Sequence, residues 1–574
     1  MNDSPLGCPV AIVGGGPVGM MLALFLDRHG VPCVIFNPDE STRWHPKGST
    51  HNSRTMEHYR RLGLSEAIRQ LGLPADHPTD VAYYTRYASH EIARVLMPSE
   101  REKVRAVIAA PRTHQNVEPI HRANQMYVER LLFEHVRTRP GITLRYGWRM
   151  TSFAEDANGV TLHAERVEPA SADRAEDTYD AALAQAAGGG TSETWRVAYM
   201  AGCDGGQSPV RKALGIRYEG HDSLEQAFLG GAMIATYLRA PELKRRCFGG
   251  GSAWQYWAVN PQIRTALVAL NGEDEYLYWT RLAEGARFDE ADVVRGFHLA
   301  CGHDTPVTVL GNRNWRAGVA LWAERLWSGN RVFLAGDAIH LFTPTGGFGM
   351  NTGIDGAANL AWKIAALVQG WGGPHLASSY EIERKPIARR NTTAAQSLAR
   401  NVGGVPVGEA IEAEGAAGIA ARAEAGAYLS TFGEEFASIG VQLGVRYDGS
   451  PIIGEDGAPP NDSFTSYTPS AVPGGRAPHV FLDPPGMANR RSLFDLFGVG
   501  FTLLRLTASA PDGADLAVAA ARRGVPLTVI DMADADARDL YGRDLALIRP
   551  DQHVCWRGNR LGDVDALLAR VTGA

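Results

Sequence analysis

Asp337 follows a short apolar run, Val332 to Ala335, and precedes a loop that contains Pro344 and several glycines. A helix is predicted to start near Thr352 and to continue over 353–369. Ligands of open α/β sheets bind at the carboxyl ends of strands, and anionic groups bind at helix N-termini. This stretch therefore predicts a seat for a large cofactor with hydroxyl groups at one end and a reducible, anion-forming ring at the other.

A second ligand-binding pattern lies near the N-terminus, where the predicted strand 10–13 leads into Gly14-x-Gly16-x-x-Gly19 and then into a predicted helix. Gly14 permits a tight turn, Gly16 lets a pyrophosphate approach the backbone, and Gly19 lets the helix pack closely on the strand. The strand–turn–helix order predicts a dinucleotide site.

The next predicted strand, 32–36, ends at Asn37, where dinucleotide-binding proteins usually carry an acidic residue for the adenosine ribose. An amide can bind a ribose hydroxyl with less charge assistance, and Asp39 or Glu40 could take the role after a shifted turn. Arg54, near the start of a further helix, is either a pyrophosphate ligand or a surface arginine. These alternatives stay open at the sequence level.

Length and composition narrow the class of protein. A chain of 574 residues is expected to form two or three domains, and its 45% apolar and 21% charged residues are typical of a globular protein. The formal charge of −6 and the absence of basic blocks argue against nucleic-acid binding. Six scattered cysteines without metal-ligand spacing indicate free thiols and no metal site. No signal peptide and no membrane-length apolar run is seen, so a cytoplasmic protein is expected.

Together, the glycine motif, the pair Asp204-Gly205 at another strand end, and the stretch 336–351 resemble one family. Their order is similar to that of class A flavoprotein aromatic hydroxylases, the FAD-dependent monooxygenases of para-hydroxybenzoate hydroxylase fold. The loop 46–57 and the tail segments 492–498 and 549–557 resemble the phenol hydroxylase branch. That branch includes chlorophenol and resorcinol hydroxylases and oxygenases of aromatic polyketides.

The resemblance implies an α/β fold with a Rossmann-like FAD-binding domain, an inserted mixed β-sheet substrate domain, and a C-terminal thioredoxin-like domain without redox cysteines. The expected boundaries are 1–80, 116–216 and 328–445 for the FAD-binding domain with a helical segment, 81–115 and 217–327 for the substrate domain, 446–478 for a linker, and 479–574 for the thioredoxin-like domain.

The resemblance also implies the cofactor site. FAD would be bound by Gly14, Gly16, Pro17, Val18, Gly19, Asn37, Arg54, Gln125, Asp204, Gly205, Asp337, Pro344, Gly347, Gly349, Met350 and Asn351. The substrate base is less clear, because the acidic residue of the phenol hydroxylase pattern is replaced here by Ser49, Thr50 and His51. His51 is a candidate base or proton relay, Tyr256 is a second candidate for a substrate contact, and His340 is expected to be structural.

The implied activity uses NAD(P)H and O2 to hydroxylate a phenolic ring through a flavin C4a-hydroperoxide. The alternative is hydroxylation, epoxidation or Baeyer–Villiger oxygenation of a polycyclic aromatic polyketide. Aromatic residues over 217–327 are expected mainly to pack between strands, with a minority lining a pocket for a flat ring. A homodimer is kept open.

Local patterns give further expectations. Strands are predicted between Val81 and Ile108, a helix over 121–132, and a surface hairpin over 166–194.

Overall fold

The computed structural model describes residues 5–167, 191–221, 231–249, 251–281, 290–317, 319–436 and 438–574. Most of the hairpin expected over 166–194 lies outside these residues. The helices are α1 Pro17–Arg28, α2 Ser53–Arg61, α3 Ser65–Arg69, α4 Glu100–Ala109, α5 Gln125–Arg137, α6 Pro209–Ala213, α7 Leu243–Cys247, α8 Glu290–Cys301, α9 Phe348–Gln369, α10 Pro374–Gly403, α11 Gly415–Leu429, α12 Gly433–Phe436, α13 Ile439–Leu443, α14 Ala514–Arg522, α15 Ala535–Tyr541 and α16 Val564–Thr572.

A five-stranded parallel sheet lies at the centre of the first core. Apolar runs buried on both faces are typical of parallel strands, and all four residues of the second strand along the chain are buried. α1 and α9 pack against each other beside this sheet. In spatial order its strands are β20 Val332–Leu334, β12 Tyr199–Gly202, β2 Val10–Val13, β3 Cys33–Asn37 and β8 Ile142–Tyr146.

A seven-stranded mixed sheet forms the second core. Its pairings are antiparallel except for one parallel pair, which joins a strand before residue 100 to a strand after residue 250. In spatial order its strands are β18 Thr308–Ala317, β14 Gly231–Arg239, β17 Glu275–Arg281, β16 Arg264–Ala269, β15 Gln255–Val259, β5 Val81–Tyr84 and β6 Glu91–Val95.

A four-stranded sheet with α14 and α16 forms the C-terminal unit. The order of this sheet is β23 Leu527–Asp531, β22 Phe501–Arg505, β24 Leu545–Ile548 and β25 Val554–Gly558. A further four-stranded sheet consists of β1 Leu6–Gly7, β11 Ser192–Val197, β10 Gly159–Arg166 and β9 Trp148–Asp156. A three-stranded sheet consists of β13 Tyr218–His221, β19 Ala320–Ala323 and β21 His340–Leu341. A two-stranded sheet pairs β4 Thr50–His51 with β7 His121–Arg122.

Two local predictions need correction. Residues 100–109 form α4 rather than a strand, because Ser99 and Glu102 make a reciprocal capping box that starts a helix. α5 begins at Gln125, not at His121, because the Asn124 side chain caps its first turn.

α9 also begins earlier than expected, at Phe348. The residue before it, Gly347, has φ +64°, a left-handed conformation that suits glycine and lets the chain turn directly into the helix.

The segment 446–478, expected to be a linker, contains no helix or strand but is packed in several places. Ile452 and Ala477 are fully buried, and Arg476 forms an ion pair with Glu57 in α2. This segment therefore holds the C-terminal unit against the helices of the first core. Within the described residues, no helix is both long and apolar enough to cross a membrane.

Candidate cofactor and substrate site

The carboxyl ends of β2, β12 and β20 are neighbours in the parallel sheet, because β12 pairs with β2 on one side and with β20 on the other. The glycine motif, the Asp204-Gly205 turn and the Gly336-Asp337 turn follow these three ends. Three motifs that are spread over more than 300 residues of sequence therefore lie along one edge of the sheet. An open α/β sheet binds its ligand at this edge.

The glycine motif has little room for side chains except toward the edge of the sheet. A β-carbon on Gly14, whose φ is +110°, would overlap the carbonyl of Cys203, and one on Gly19 would overlap the carbonyl of Gly14. By contrast, no atom of the described residues lies within 4 Å of a β-carbon placed on Gly16. Pro17 and Val18 begin α1, and Gly16 gives this helix no side-chain cap. The open approach and the uncapped amides suit a phosphate group.

Asp337 is exposed just beyond the end of β20, and the space beside it and the neighbouring strand ends is called here the cleft. Solvent reaches its side chain, yet the surrounding protein raises the pKa of this carboxyl group, while Lys47 and Arg43 oppose that rise. The Tyr218 hydroxyl donates to the Asp337 carbonyl at 2.8 Å and fixes the turn. A carboxylate in this position can accept hydrogen bonds from ligand hydroxyl groups.

Lys47 was not predicted as a site residue. It is accessible to solvent, and its pKa is lowered to about 8, first by the surrounding protein and then by Arg43, while Asp337 opposes the shift. It lies in the His45-Pro46-Lys47-Gly48 loop, whose only sequence signal was a basic residue before a glycine. Lys47 therefore adds a cation to the cleft.

Asp204 organises its own turn. Its carboxylate accepts hydrogen bonds from the Ser208 hydroxyl at 2.6 Å and from the Val210 amide at 3.0 Å, and burial raises its pKa to about 6. The next residue, Gly205, has φ +85°. Asp204 thus shapes the strand end beside the glycine motif.

The N-terminus of α9 forms the other end of the cleft. Pro344, Gly347, Gly349 and Met350 are partly accessible there, and no side chain caps the helix. Its free amides and the helix dipole favour an anionic group. The Asn351 side chain instead holds the protein together, since it donates to the Thr50 carbonyl at 2.9 Å and accepts from the Asn52 amide at 2.9 Å.

Two further predicted cofactor residues lie near the cleft with partners of their own. The Asn37 side chain accepts from the Gly15 amide at 3.1 Å and donates to the Asp39 carbonyl at 3.2 Å, which orients the glycine motif. Gln125 begins α5, and its side chain donates to Glu129.

Arg54 is buried, and other protein groups accept hydrogen bonds from its side chain. It donates to Glu57 and Gln552, each at 2.9 Å, and to the Asp551 carbonyl at 2.7 Å. These contacts join α2 to the C-terminal unit. We therefore do not keep Arg54 in the proposed cofactor site.

His51 does not have the surroundings of a substrate base. It is fully buried, its Nδ1 lies 3.2 Å from the Tyr59 hydroxyl, and its Nε2 lies 3.1 Å from the Ala123 carbonyl. Burial lowers its pKa to about 3, so protonation is disfavoured. His51 joins β4 to the chain after β7, and we withdraw it as a base. His340 is equally buried, in agreement with the expected structural role.

Tyr256 lies on the helix-covered face of the seven-stranded sheet. Its ring stacks on Phe248 with centroids 3.9 Å apart, and its hydroxyl accepts from the Ala253 amide at 2.7 Å. On the same face, Tyr278 contacts Phe297 of α8. We therefore withdraw Tyr256 as a substrate contact.

The opposite face of this sheet contacts α5 and the loop after β3 of the first core, and its side chains alternate along each strand with those of the helix-covered face. On that face the Tyr237 ring lies 6.5 Å from the Trp44 ring, and both Tyr127 and Tyr237 donate to Glu275. One row across this face contains Tyr83, Trp257, Ala266, Trp279, Ala235 and Arg313.

This row, called here the aromatic row, is a candidate floor for a flat ligand. Trp257 is buried and stacks on Tyr83 with centroids 6.0 Å apart, whereas Trp279 is partly accessible. Its last member, Arg313, lies close enough to Lys47 to lower the pKa of that lysine. The aromatic row therefore ends beside the loop that lines the cleft. The Trp315 side chain, among the aromatics noted above, lies outside the described residues.

Comparisons with known proteins agree with this geometry. Residues 7–395 match the family of the FAD binding domain, and residues 470–574 match the family of the aromatic-ring hydroxylase C-terminal domain. The prediction of FAD as cofactor is confirmed.

Relatives of similar length extend the match. The chain is 30% identical to the FAD-dependent monooxygenase apdD of Emericella nidulans, with 98% of this chain and 90% of the relative covered. It is also 30% identical to a putative polyketide hydroxylase of Streptomyces halstedii, with 97% and 94% covered. The solved structure of RebC with bound 7-carboxy-K252c is similar over 100% of both chains, with a TM-score of 0.85 and 32% identity.

Proposed function

This chain belongs to the FAD-dependent aromatic-ring hydroxylases and is a flavoprotein monooxygenase, and we propose that it hydroxylates a phenolic ring with NAD(P)H and O2. The observation that carries the proposal is the aromatic row, which ends at Arg313 beside Lys47 in the cleft. The row supplies a flat apolar floor, and the cleft supplies the polar groups that bind the cofactor.

The residues at the strand ends fit the FAD molecule by their chemistry. The amides at the start of α1 and the open backbone at Gly16 would bind the pyrophosphate, and Asp337 would accept hydrogen bonds from the ribityl chain. The uncapped amides at Gly349 and Met350 would stabilise negative charge on the ring. When bound, FAD supplies the redox and oxygen chemistry of the reaction.

The substrate would bind against the aromatic row. Trp257 and Trp279 would stack on the ring and exclude water from the site where oxygen is transferred. Since His51 is withdrawn as a base, ionisation of the phenol would depend on nearby positive charge. Arg313 and Lys47 supply that charge at one end of the row, and cations favour a phenolate over a phenol.

A second candidate function, oxygenation of a polycyclic aromatic polyketide, is supported by the width of the same surface. From Trp257 to Ala235 the row crosses four adjacent strands, a distance of about 14 Å at normal strand spacing. Ala266 and Ala235 alternate with the two tryptophans and leave room for an extended ring system. The Streptomyces halstedii relative carries the name of a polyketide hydroxylase.

One assay separates these candidates. Protein reconstituted with FAD is mixed with NADPH or NADH under 18O2 and with simple phenols or polycyclic phenols, and products are analysed by mass spectrometry. We expect faster NAD(P)H oxidation and one 18O atom in the product. Turnover of simple phenols alone would reject the polycyclic candidate. Formation of hydrogen peroxide alone with every compound would reject hydroxylation while leaving the family assignment intact. A cytoplasmic location and a homodimer also remain proposals.

A further inference from the structure

Two cysteines meet on the helix-covered face of the seven-stranded sheet, away from the aromatic row. Cys247 is the last residue of α7 and Cys301 the last residue of α8, and the two thiols are close enough for each to act on the pKa of the other. The Cys247 sulfur also lies 3.9 Å from the Thr305 hydroxyl and 4.0 Å from Nε2 of His303. No step of the proposed oxygenation uses these groups.

The surroundings of Cys247 favour its thiolate. Its pKa is lowered to about 7, first by the hydrogen bond from Cys301, with further contributions from Thr305, His303 and Arg246 that outweigh burial. A thiolate is the reactive form of cysteine, and neighbouring cations and hydrogen-bond donors are typical of reactive sites. His303 is exposed, so a small solute can approach from that side.

A second pair of neighbouring cysteines provides a contrast within the same chain. Cys33 begins β3 of the parallel sheet, Cys8 lies just before β2, and burial raises the pKa of both thiols. No cation or thiol donor appears among the groups that act on them. The Cys8 and Cys33 thiols are therefore neighbours, but burial disfavours the thiolate at both.

We propose that Cys247 and Cys301 form a redox site that hydrogen peroxide converts into a disulfide joining α7 to α8. The proposal rests on the shared location of the two thiols and on the polar groups that contact Cys247. It does not depend on the substrate proposed above, because the peroxide can be supplied from outside.

The steps balance with hydrogen peroxide as the two-electron oxidant. The Cys247 thiolate attacks one peroxide oxygen, the O–O bond breaks, and hydroxide leaves, so that Cys247 becomes a sulfenic acid. Cys301 then attacks the Cys247 sulfur, an S–S bond forms, and the S–O bond breaks. The departing hydroxide takes the Cys301 proton and leaves as water. An added dithiol reverses the reaction by thiol–disulfide exchange.

The disulfide would act on the covered side of the sheet. Phe248 follows Cys247 directly and stacks on Tyr256 in β15, the strand that also carries Trp257. A covalent link at Cys247 would therefore restrain the helix that packs behind the aromatic row.

The test is a thiol count on the FAD-loaded protein before and after a brief hydrogen peroxide treatment. The six free thiols measured after denaturation should fall to four, six less the two that join. The peptides containing Cys247 and Cys301 should appear as one cross-linked species, lighter by two hydrogen atoms, and dithiothreitol should separate them. Cys8 and Cys33 should stay reduced.

Variants keep each step testable. Cys247→Ser should lose no thiol to peroxide, whereas Cys301→Ser should accumulate a sulfenic acid on Cys247 that dimedone captures. Cys555→Ser is the matched control, because Cys555 is buried and far along the chain, and it should still lose two thiols. Six persistent thiols, a disulfide between other cysteines, or oxidation of Cys247 with Cys301 left free would each overturn the proposal.

Discussion

The flavin-binding core meets the rest of the chain through two very different surfaces. Toward the C-terminal unit, buried ion pairs lie within an apolar core that includes the edge-on contact of Trp362 with Phe501. Arg549 donates to both oxygens of Glu383, at 2.6 and 2.9 Å, and each residue is at most 2% exposed. Toward the seven-stranded sheet the contacts are aromatic. There the Arg122 guanidinium lies 3.7 Å from the centre of the Trp254 ring, and Trp279 stays partly accessible.

One helix runs from the cleft to the ionic surface. Within α9, four buried polar residues are spaced four positions apart and form a row along the helix: Asn351, Asp355, Asn359 and Lys363. Asn351 binds the loop at the cleft, whereas Lys363 binds Glu383 at 2.6 Å beside the C-terminal unit. Residues four apart lie on one side of a helix, so this row runs from the cleft to the ionic surface.

The difference indicates a division of labour. A buried ion pair is strongly disrupted when one partner is lost, which suits a surface that keeps a single geometry. An aromatic surface can open around a flat ligand without leaving charges unpaired. The C-terminal unit therefore holds α9, whereas the seven-stranded sheet is the proposed surface for the substrate.

The largest effect is expected from Glu383→Ala. The change leaves Arg549 and Lys363 without their shared carboxylate in a dry interior, and breaking such a pair costs about 3–5 kcal/mol. Urea unfolding followed by circular dichroism should show this loss in the free energy of unfolding. Asp565→Ala, which breaks an exposed ion pair with Arg522, is the control and should change nothing measurable. Equal stability of both variants would contradict the assigned role of the ionic surface.

Acid should weaken the same surface. Burial would raise the pKa of Glu383, but Arg549 and Lys363 outweigh it and lower the value to about 2. A carboxyl group with a depressed folded-state pKa stabilises the protein above its unfolded pKa, about 4.3, and this contribution is lost as pH falls toward 2. Unfolding measured between pH 5 and pH 3 should therefore show decreasing stability, with a smaller slope in Glu383→Ala. Identical slopes would argue against Glu383 as a source of the acid sensitivity.

Asp337→Ala tests the cofactor end of the comparison. A carboxylate hydrogen bond to a ligand hydroxyl contributes about 1.5–3 kcal/mol, so FAD should bind about 10- to 100-fold more weakly. Titration of the apoprotein followed by flavin fluorescence measures this change, and Asp539→Ala, at an exposed position, is the control. Unchanged affinity would remove Asp337 from the site.

Trp257→Ala tests the aromatic row. Removal of a stacking ring is expected to raise KM for the aromatic substrate about tenfold, since such contacts contribute about 0.5–1.5 kcal/mol beyond the buried area. FAD affinity should stay unchanged, because Trp257 lies on the sheet and not at the strand ends. An unchanged KM with normal folding would mean that the substrate binds elsewhere.

The sequence allowed the parallel sheet edge to be predicted because glycines and carboxylates that directly follow apolar runs are typical of ligand-binding strand ends. The apolar face of α9 was also predicted from its helical spacing. The role of Arg54 was not, because its partners Gln552 and Asp551 lie almost 500 residues further along the chain. No local pattern reports contacts at that separation.

Tyr256 shows the same limit within one strand. Side chains alternate along β15, so Tyr256 lies on one face of the sheet and Gln255 and Trp257 lie on the other. The sequence does not indicate which of these faces the helices cover. That choice depends on residues from elsewhere in the chain, because Phe248, which follows α7, stacks on Tyr256, and Phe297 of α8 contacts Tyr278.

Tyr256→Phe should have the smallest effect and gives the sharpest contrast with Trp257→Ala. The substitution keeps the stack on Phe248 and removes only the acceptor of the Ala253 amide, so stability should fall by about 1 kcal/mol. Both kcat and KM should stay close to those of the unchanged protein, because the ring lies behind the sheet. A large fall in hydroxylation with FAD still bound would place the substrate on the helix-covered face. The aromatic row would then lose its proposed role.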